Sequence, residues 1–360
     1  MDIKEFFSQA TLRLPKQYEG NFQLRIHELF EQYYSSAQKT TFPKGIDSKE
    51  VLKKLDGVIN GLEEVLEQYY HGFTFSAYTA LNKMINDCGL KDNWKNAHYQ
   101  YKKNFYRLRI KDANYPLQRK ELFHLPFELR GNVSTQRYSI PGFPALYLAN
   151  SIYVAWEEMR RPKLDEIQAA RVENQLQLRL VDLTTDRYLL STFSGKELNH
   201  LIDDIIIWPM IAICSIKVGN HKNHFKPEYI IPQMILQWVR YNSAIVQGIK
   251  FSSTHIDLNI GANQGEFYNI VIPVYDNKPT GYCSTLSKMF KMTDVLSWQL
   301  YQFSSGGPGV AIKYDNPFGP NHDITKLELV QNREHWYEFS PFATLELALQ
   351  TMKLQEVNFD

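Results

Sequence analysis

The chain has 360 residues, with 40 Lys and Arg against 39 Asp and Glu, and a formal net charge of +1 excludes a surface built to coat nucleic acid. Hydrophobic residues at 44% and charged residues at 22% are an ordinary globular mix, which excludes wholesale disorder. Aromatics reach 14%, with 22 Tyr and 21 Phe, enough flat side chains to wall a pocket for a heterocycle or to fill a core.

The N-terminus, MDIKEFFSQATLRLP, mixes acids and bases before any apolar run and does not read as a signal peptide, so a cytoplasmic protein is expected. Phe22 to Tyr34 carries an apolar stripe at helical spacing. The clearest helix follows in DSKEVLKKLDGVINGLEEVLEQYYHG, where Val51, Leu55, Val58, Leu62, Val65 and Tyr69 recur at alternating steps of four and three. Asp47 with Glu50 predicts a capping box at its start, and Gly72 a stop. Gly57 and Gly61 interrupt the heptads and favour packing within the chain over a coiled coil. Residues 1–95 are therefore expected to form a helical accessory region, and the texture changes near Gly89 to Asn96.

From 96 to 360, short β-like runs (NFYRLRI, ALYLA, LQLRLVDL, GIKFSS, YNIVIPVY) are interspersed with helical segments, without the regular alternation of a doubly wound sheet, which predicts an α+β domain. Ile205 to Ile216 is apolar but contains Pro209 and falls short of the roughly 18 to 20 residues of a membrane span, so it reads as a buried element. Trp208 and Trp238 read as core residues. Cys88, Cys214 and Cys283 are far apart and odd in number, which suits a reducing compartment, and no CxxC pair suggests zinc.

Chemistry concentrates between Phe105 and Pro162. Arg107, Arg109, Arg130 and Arg137 fall within about thirty residues, and guanidinium forks suit phosphate or pyrophosphate oxygens. The plainer reading is that they face solvent or pair with Glu121 and Glu128. A turn at Pro141-Gly142 leads to the strand ALYLA and a helix with Ser151 as N-cap, ending in Glu157 and Glu158. One of these carboxylates, near several arginines, could hold a ribose hydroxyl and stabilise positive charge on a sugar ring. A solvent-facing acidic pair is the alternative. Ser252 and Ser253 close a β-like run, a weak signal by itself. His124, flanked by aromatics, reads as packed with a satisfied nitrogen. His221 and His224 have metal-compatible spacing but no evident third ligand. The Gly-rich stretch SSGGPG, from Ser304 to Gly309, lacks GxGxxG spacing, which disfavours NAD as a hydride carrier.

The ordered blocks FYRLR, then QRYSIPGFPALYLANSIYVAWEEM, then GIKFSS followed by FYNIVIPV resemble the RES domain, a family named for Arg, Glu and Ser signature residues. Its known members include the toxins of Xre–RES toxin–antitoxin pairs, which destroy NAD, and the domain is related to the fold of ADP-ribosylating toxins. The resemblance covers Asn104 to Pro273 and, more loosely, the rest of the C-terminal part. It implies an ADP-ribosyltransferase-like α+β fold over 96–360 and a catalytic set of Arg107, Glu158 and Ser253. The implied NAD-contacting set is Arg109, Arg130, Arg137, Tyr138 and Tyr147. By position, Arg107 and Arg137 would engage the pyrophosphate, Tyr147 would pack near the nicotinamide half, and Glu158 would hold the nicotinamide ribose. Members more often read GRWN or GRFN where this chain reads QRYS, which leaves the ligand contacts there open. Counting eleven residues on from Tyr147 places Glu158 rather than Glu157 at the glutamate position, and Ser252 stands where many have Pro, so Glu157 or Glu158, and Ser252 or Ser253, stay open as the active residue.

The implied reaction cleaves the nicotinamide–ribose bond of NAD, with water or phosphate as acceptor, in a toxin or defence effector acting by NAD depletion. NAD is then substrate rather than bound cofactor, phosphate a candidate co-substrate, and no metal is expected. Expected partners are NAD, an inhibitory antitoxin or other regulatory protein, and a second copy in a homo-oligomer, with no membrane and no directly bound nucleic acid. An ADP-ribosyltransferase acting on a protein or small-molecule acceptor is one alternative. A non-catalytic nucleotide-binding regulatory module, left open by QRYS, is the other.

Overall fold

The computed structural model describes residues 1–9, 12–96, 99, 101–111, 116–189, 198–257, 263–304, 323–330 and 332–359. In chain order the helices are α1 (Ile3–Ser8), α2 (Phe22–Gln38), α3 (Ser48–Tyr70), α4 (Thr74–Asp87), α5 (Leu90–Asn96), α6 (Ile152–Glu158), α7 (Leu198–Ser215), α8 (Ile230–Tyr241), α9 (Ser284–Ser287), α10 (Trp298–Ser304) and α11 (Pro341–Thr351). The strands are β1 (Asn104–Ile110), β2 (Ala145–Ala149), β3 (Ile167–Asn174), β4 (Leu180–Leu183), β5 (Gly248–Ser252), β6 (Gln264–Gly265), β7 (Tyr268–Pro273), β8 (Phe290–Met292), β9 (Leu296–Ser297), β10 (Ile324–Val330), β11 (Arg333–Trp336) and β12 (Gln355–Glu356). The class is α+β, as the texture predicts. Two compact units divide it: Met1–Ala97 with Thr135–Ile140 and Arg179–Thr254, and His98–Ser134 with Pro141–Leu178 and His255–Asp360.

The first unit is mainly helical. The predicted stripe of α3 is buried at Val51, Leu55, Val58, Leu62 and Val65, joined by Ile59 and Leu66, while Tyr69 stays half-buried. Asp47 caps the helix by accepting from the amides of Lys49 and Glu50, but Glu50 pairs with Lys54 at 3.0 Å rather than completing a capping box. Gly72, at φ +82°, supplies the left-handed stop. The two glycines that break the heptads admit α4. A Cβ on Gly61 would lie 2.4 Å from Met84 Cγ, and one on Gly57 would lie 3.0 Å from Cys88 Sγ.

α7 contains the apolar run with Pro209 inside it, and Ile205 to Ser215 are all buried. Proline has no N–H, so the Ile205 carbonyl one turn earlier loses its helical donor. The Tyr33 hydroxyl donates to that carbonyl at 2.9 Å, and its ring stacks on Trp208 at 4.0 Å. Trp238 of α8 is likewise fully buried, with its indole N–H donating to Asn82 at 3.0 Å. β4 and β5 pair in parallel, from Leu180↔Gly248 to Leu183↔Phe251.

The expected break at residue 95 lies close to the first crossing between compact units, Ala97 to His98, but the helical unit also takes in Thr135–Ile140 and Arg179–Thr254, with α3 packed on α7 and α8. Helices apolar all round need cover on more than one side, and α3 provides part of it. No helix among the described residues is long and apolar enough to cross a membrane.

In the second unit antiparallel strands run in the order β12-β8-β3-β1-β2-β7, with β9 also on β3, and β11-β10-β6 form a smaller sheet. β1 pairs with β3 along its whole length, Asn104↔Glu173 to Ile110↔Ile167, and β2 pairs with β7 from Ala145↔Pro273 to Ala149↔Asn269. Between β1 and β2 the register holds at one pair, Tyr106↔Ala149. α6 packs on β1, β2 and β7, and α11 packs on α6 and β3. Its Glu346 accepts from the Ile152 amide at 2.6 Å, so a buried carboxylate meets the start of α6.

Candidate functional site

β1 places Arg107 and Arg109 on one face, two residues apart. Arg107 is buried, and where the β1–β2 ladder lapses its Nη1 donates to the Tyr147 carbonyl. Its Nε–H has no partner among the described residues. Burial, then the like charge of Arg109, disfavour the Arg107 cation. An unsatisfied N–H on a buried guanidinium is costly, and an arriving anion would satisfy it. Arg109 Nε donates to the Glu121 carbonyl at 3.3 Å, and burial lowers its pKa too.

Arg130 donates to the Gly142 carbonyl at 3.4 Å and to Asn277 at 3.1 Å, with its guanidinium 4.9 Å from the Phe127 ring centre. Gly142, at φ +68°, makes the expected turn. In the first unit, Arg137 donates to the carbonyls of Cys214 at 2.9 Å and Ile216 at 2.8 Å, which closes the C-terminal end of α7. Thus the four arginines bond carbonyls, and among the described residues none of them is ion-paired with Glu121, Glu128 or any other acid.

Ser151 caps α6 as predicted, accepting from the Val154 amide at 3.1 Å. The adjacent glutamates at its end face different surroundings. Glu157 is buried and held by Arg161, whose Nε and Nη2 reach its two oxygens at 2.9 and 2.8 Å. Glu158 keeps 33% of its side chain exposed; Asn269 Nδ2 donates to its Oε1 at 3.0 Å, and His255 Nε2 stands 3.8 Å from Oε2. Asn269 and His255 escaped the sequence reading. The available signal for Asn269 was one amide within YNIVIP, a strand buried at every position.

Tyr147 is half-buried on β2, and burial raises its hydroxyl pKa. Tyr138 and Ser253 belong to the first unit. Tyr138 is buried with its ring 4.4 Å from Phe251, and Ser253 is buried just beyond β5. Ser252 is already engaged, its Oγ accepting from the Thr185 amide at 2.9 Å. Within the second unit, then, Arg107 and Tyr147 meet at the gap between β1 and β2, and Glu158 meets Asn269 and His255.

His124 is buried, and both nitrogens are used. Nε2 accepts from the Cys283 amide at 2.9 Å, so Nδ1 carries the proton it donates to the Leu125 carbonyl at 2.7 Å. Burial, reinforced by the nearby Arg107 charge, pushes its pKa down to about 4, against the pull of the Leu125 carbonyl. A polar cavity of about 260 Å³ lies toward the other end of α6, between Lys103, Asn150, Ser151, Asp323 and Glu346. Arg107 and Glu158 are not among its walls. His221 and His224 lie in an exposed loop, and among the described residues no group of three His, Cys, Asp or Glu is placed to hold a metal. Positions 305–309 of SSGGPG lie outside the described residues.

The family described as RES domain matches residues 105–280. The chain is also 29% identical over 327 residues to a protein of Bacillus subtilis (strain 168) named "Putative toxin YopC", an overlap of 84% of this chain and 73% of that one. No solved structure matches it.

Proposed function

Since this chain carries a RES domain over residues 105–280 and has a toxin-named relative, we propose that it is a toxin-class enzyme that cleaves the nicotinamide–ribose bond of NAD. The observation that carries the reading is the contrast between neighbouring glutamates. Arg161 neutralises Glu157, whereas Glu158, met by the Asn269 amide and by His255, remains partly exposed. As nicotinamide leaves with the electron pair of the bond, the anomeric carbon becomes cation-like. Glu158 accepts a hydrogen bond from the ribose and opposes that charge more strongly in the transition state than in the ground state. Arg107, with its orphan N–H, and Arg109 attract the pyrophosphate. Water or phosphate then bonds to the anomeric carbon and loses a proton, giving ADP-ribose or ADP-ribose 1-phosphate.

Support for this reading comes from Arg107, Arg109 and Arg130 of the second unit, engaged by neutral carbonyls rather than by acids, which leaves their charge uncompensated. An NAD-depleting activity requires restraint, and an inhibitory partner protein is the corresponding expectation. Incubation of the purified chain with NAD, with and without phosphate, followed by chromatography, tests the proposal. Nicotinamide release is expected, and dependence on phosphate separates phosphorolysis from hydrolysis. A labelled adduct on an acceptor would assign a transferase instead, and binding of NAD without nicotinamide release would assign a non-catalytic module.

A further inference from the structure

The surface of the helical unit has a feature that its own folding does not require. Residues 70–76, spanning the turn from α3 to α4, are exposed without a break. Tyr70, Phe73 and Phe75 are 42%, 60% and 82% exposed, and Phe225, 51% exposed, sets its ring edge-on to Tyr70 at 6.1 Å and stacked over Tyr69 at 6.4 Å. One helical turn beyond Phe75, Tyr78 contacts Tyr241, which is 79% exposed, so the aromatic surface continues along α4. Phe73 also stands at the N-cap of α4, where no side chain caps the helix. Ser, Thr, Asp or Asn there would cap α4, so Phe73 serves the surface at the expense of the helix.

Charge around these rings is of both signs. Glu64 and Glu67 are exposed on the last turns of α3 and have no ion pair among the described residues. Residues 217–226, the loop that carries Phe225, hold Lys217, His221, Lys222, His224 and Lys226 and no acid. A partner of one charge sign would meet repulsion from one side of such a patch. A second copy related by a two-fold axis sets the acidic side of each against the basic loop of the other, with the aromatics between them. Contiguous exposed apolar surface rimmed by charge is the composition of association sites.

We propose that the α3–α4 turn and the 217–226 loop form an isologous surface on which a second copy of this chain docks. NAD cleavage plays no part in it, so the surface stands or falls independently of the catalytic reading. Sedimentation equilibrium of the full chain, over about 1 to 100 µM, is expected to show concentration-dependent formation of a species of twice 42.2 kDa. Phe75→Glu, at an exposed position, is expected to keep the circular dichroism spectrum and to raise the dimer dissociation constant at least about tenfold. Glu67→Lys and Lys222→Glu should each weaken the dimer, and mixing the two should restore association. A wild-type chain that stays monomeric over the whole range would overturn the proposal and hand the patch to a different kind of partner. Unchanged association of folded Phe75→Glu would overturn it equally.

Discussion

Replacing His124 by Gln removes a titrating group whose two nitrogens are fixed by the Leu125 carbonyl and the Cys283 amide. Folding holds its pKa at about 4, chiefly through burial, against about 6.5 in an unfolded chain. Because the folded value is depressed, the unfolded chain takes up the proton first on acidification. The contribution of His124 to stability is therefore full above pH 6.5 and is lost progressively as pH falls toward 4. At about 1.36 kcal/mol per pKa unit, the loss between pH 7 and pH 5 is about 2 kcal/mol. Urea unfolding of both proteins at those two pH values, followed by tryptophan fluorescence, measures it. Whatever the substitution itself costs at pH 7, the fall in stability from pH 7 to 5 should be smaller in the variant by about 2 kcal/mol. Equal falls in the two proteins would refute the neutral, buried assignment of His124.

Tyr33→Phe leaves the Ile205 carbonyl unpaired and should cost about 1–2 kcal/mol in urea unfolding; in a Pro209→Ala background, which restores a helical N–H, that cost should shrink by about 1 kcal/mol. An undiminished cost would show that the hydroxyl does not replace the missing amide. Gly61→Ala sets a methyl 2.4 Å from Met84 Cγ, so overpacking of about 1–3 kcal/mol outweighs the roughly 1 kcal/mol gained in helix propensity. Adding Met84→Gly, which removes both the Cγ at 2.4 Å and the Cβ at 2.6 Å from the new methyl, should take away the overpacking cost of Gly61→Ala, which thermal melts would register. If Glu158 acts as proposed, Asn269→Ala should lower the rate of nicotinamide release by about tenfold while leaving the fold intact, and an unchanged rate would remove Asn269 from the site.

Periodicity made α3 legible, because burial on one face of a helix imposes its 3.6-residue repeat on the sequence. Tyr69 broke the stripe, since it lies in the last turn of the helix and stacks on Phe225 instead. The membership of Arg179–Thr254 in the helical unit was hidden for the opposite reason. Ile205 to Ile216 is apolar almost throughout, so it shows no preferred face and names no partner, and only the fold reveals that α3 covers it. Ser151 could be read as a cap from its place before an apolar run. Choosing between Glu157 and Glu158 needed more than spacing to the arginines. The helpful signal was Arg161, four residues after Glu157, where a guanidinium can return to the preceding turn. Carbonyls as the partners of the arginines could not be anticipated, because tertiary structure alone decides which backbone oxygens lack a donor.

The central claim rests on Glu158, and the most direct test sets it against its neighbour. Nicotinamide release from NAD would be measured for the wild type, Glu158→Gln and Glu157→Gln, with circular dichroism to establish that each is folded. Glu158→Gln should lose about a hundredfold or more in rate, whereas Glu157→Gln, which releases Arg161, should mainly lose stability and stay within about tenfold of the wild-type rate. Full activity in a folded Glu158→Gln variant, or its loss only in a folded Glu157→Gln variant, would contradict the account.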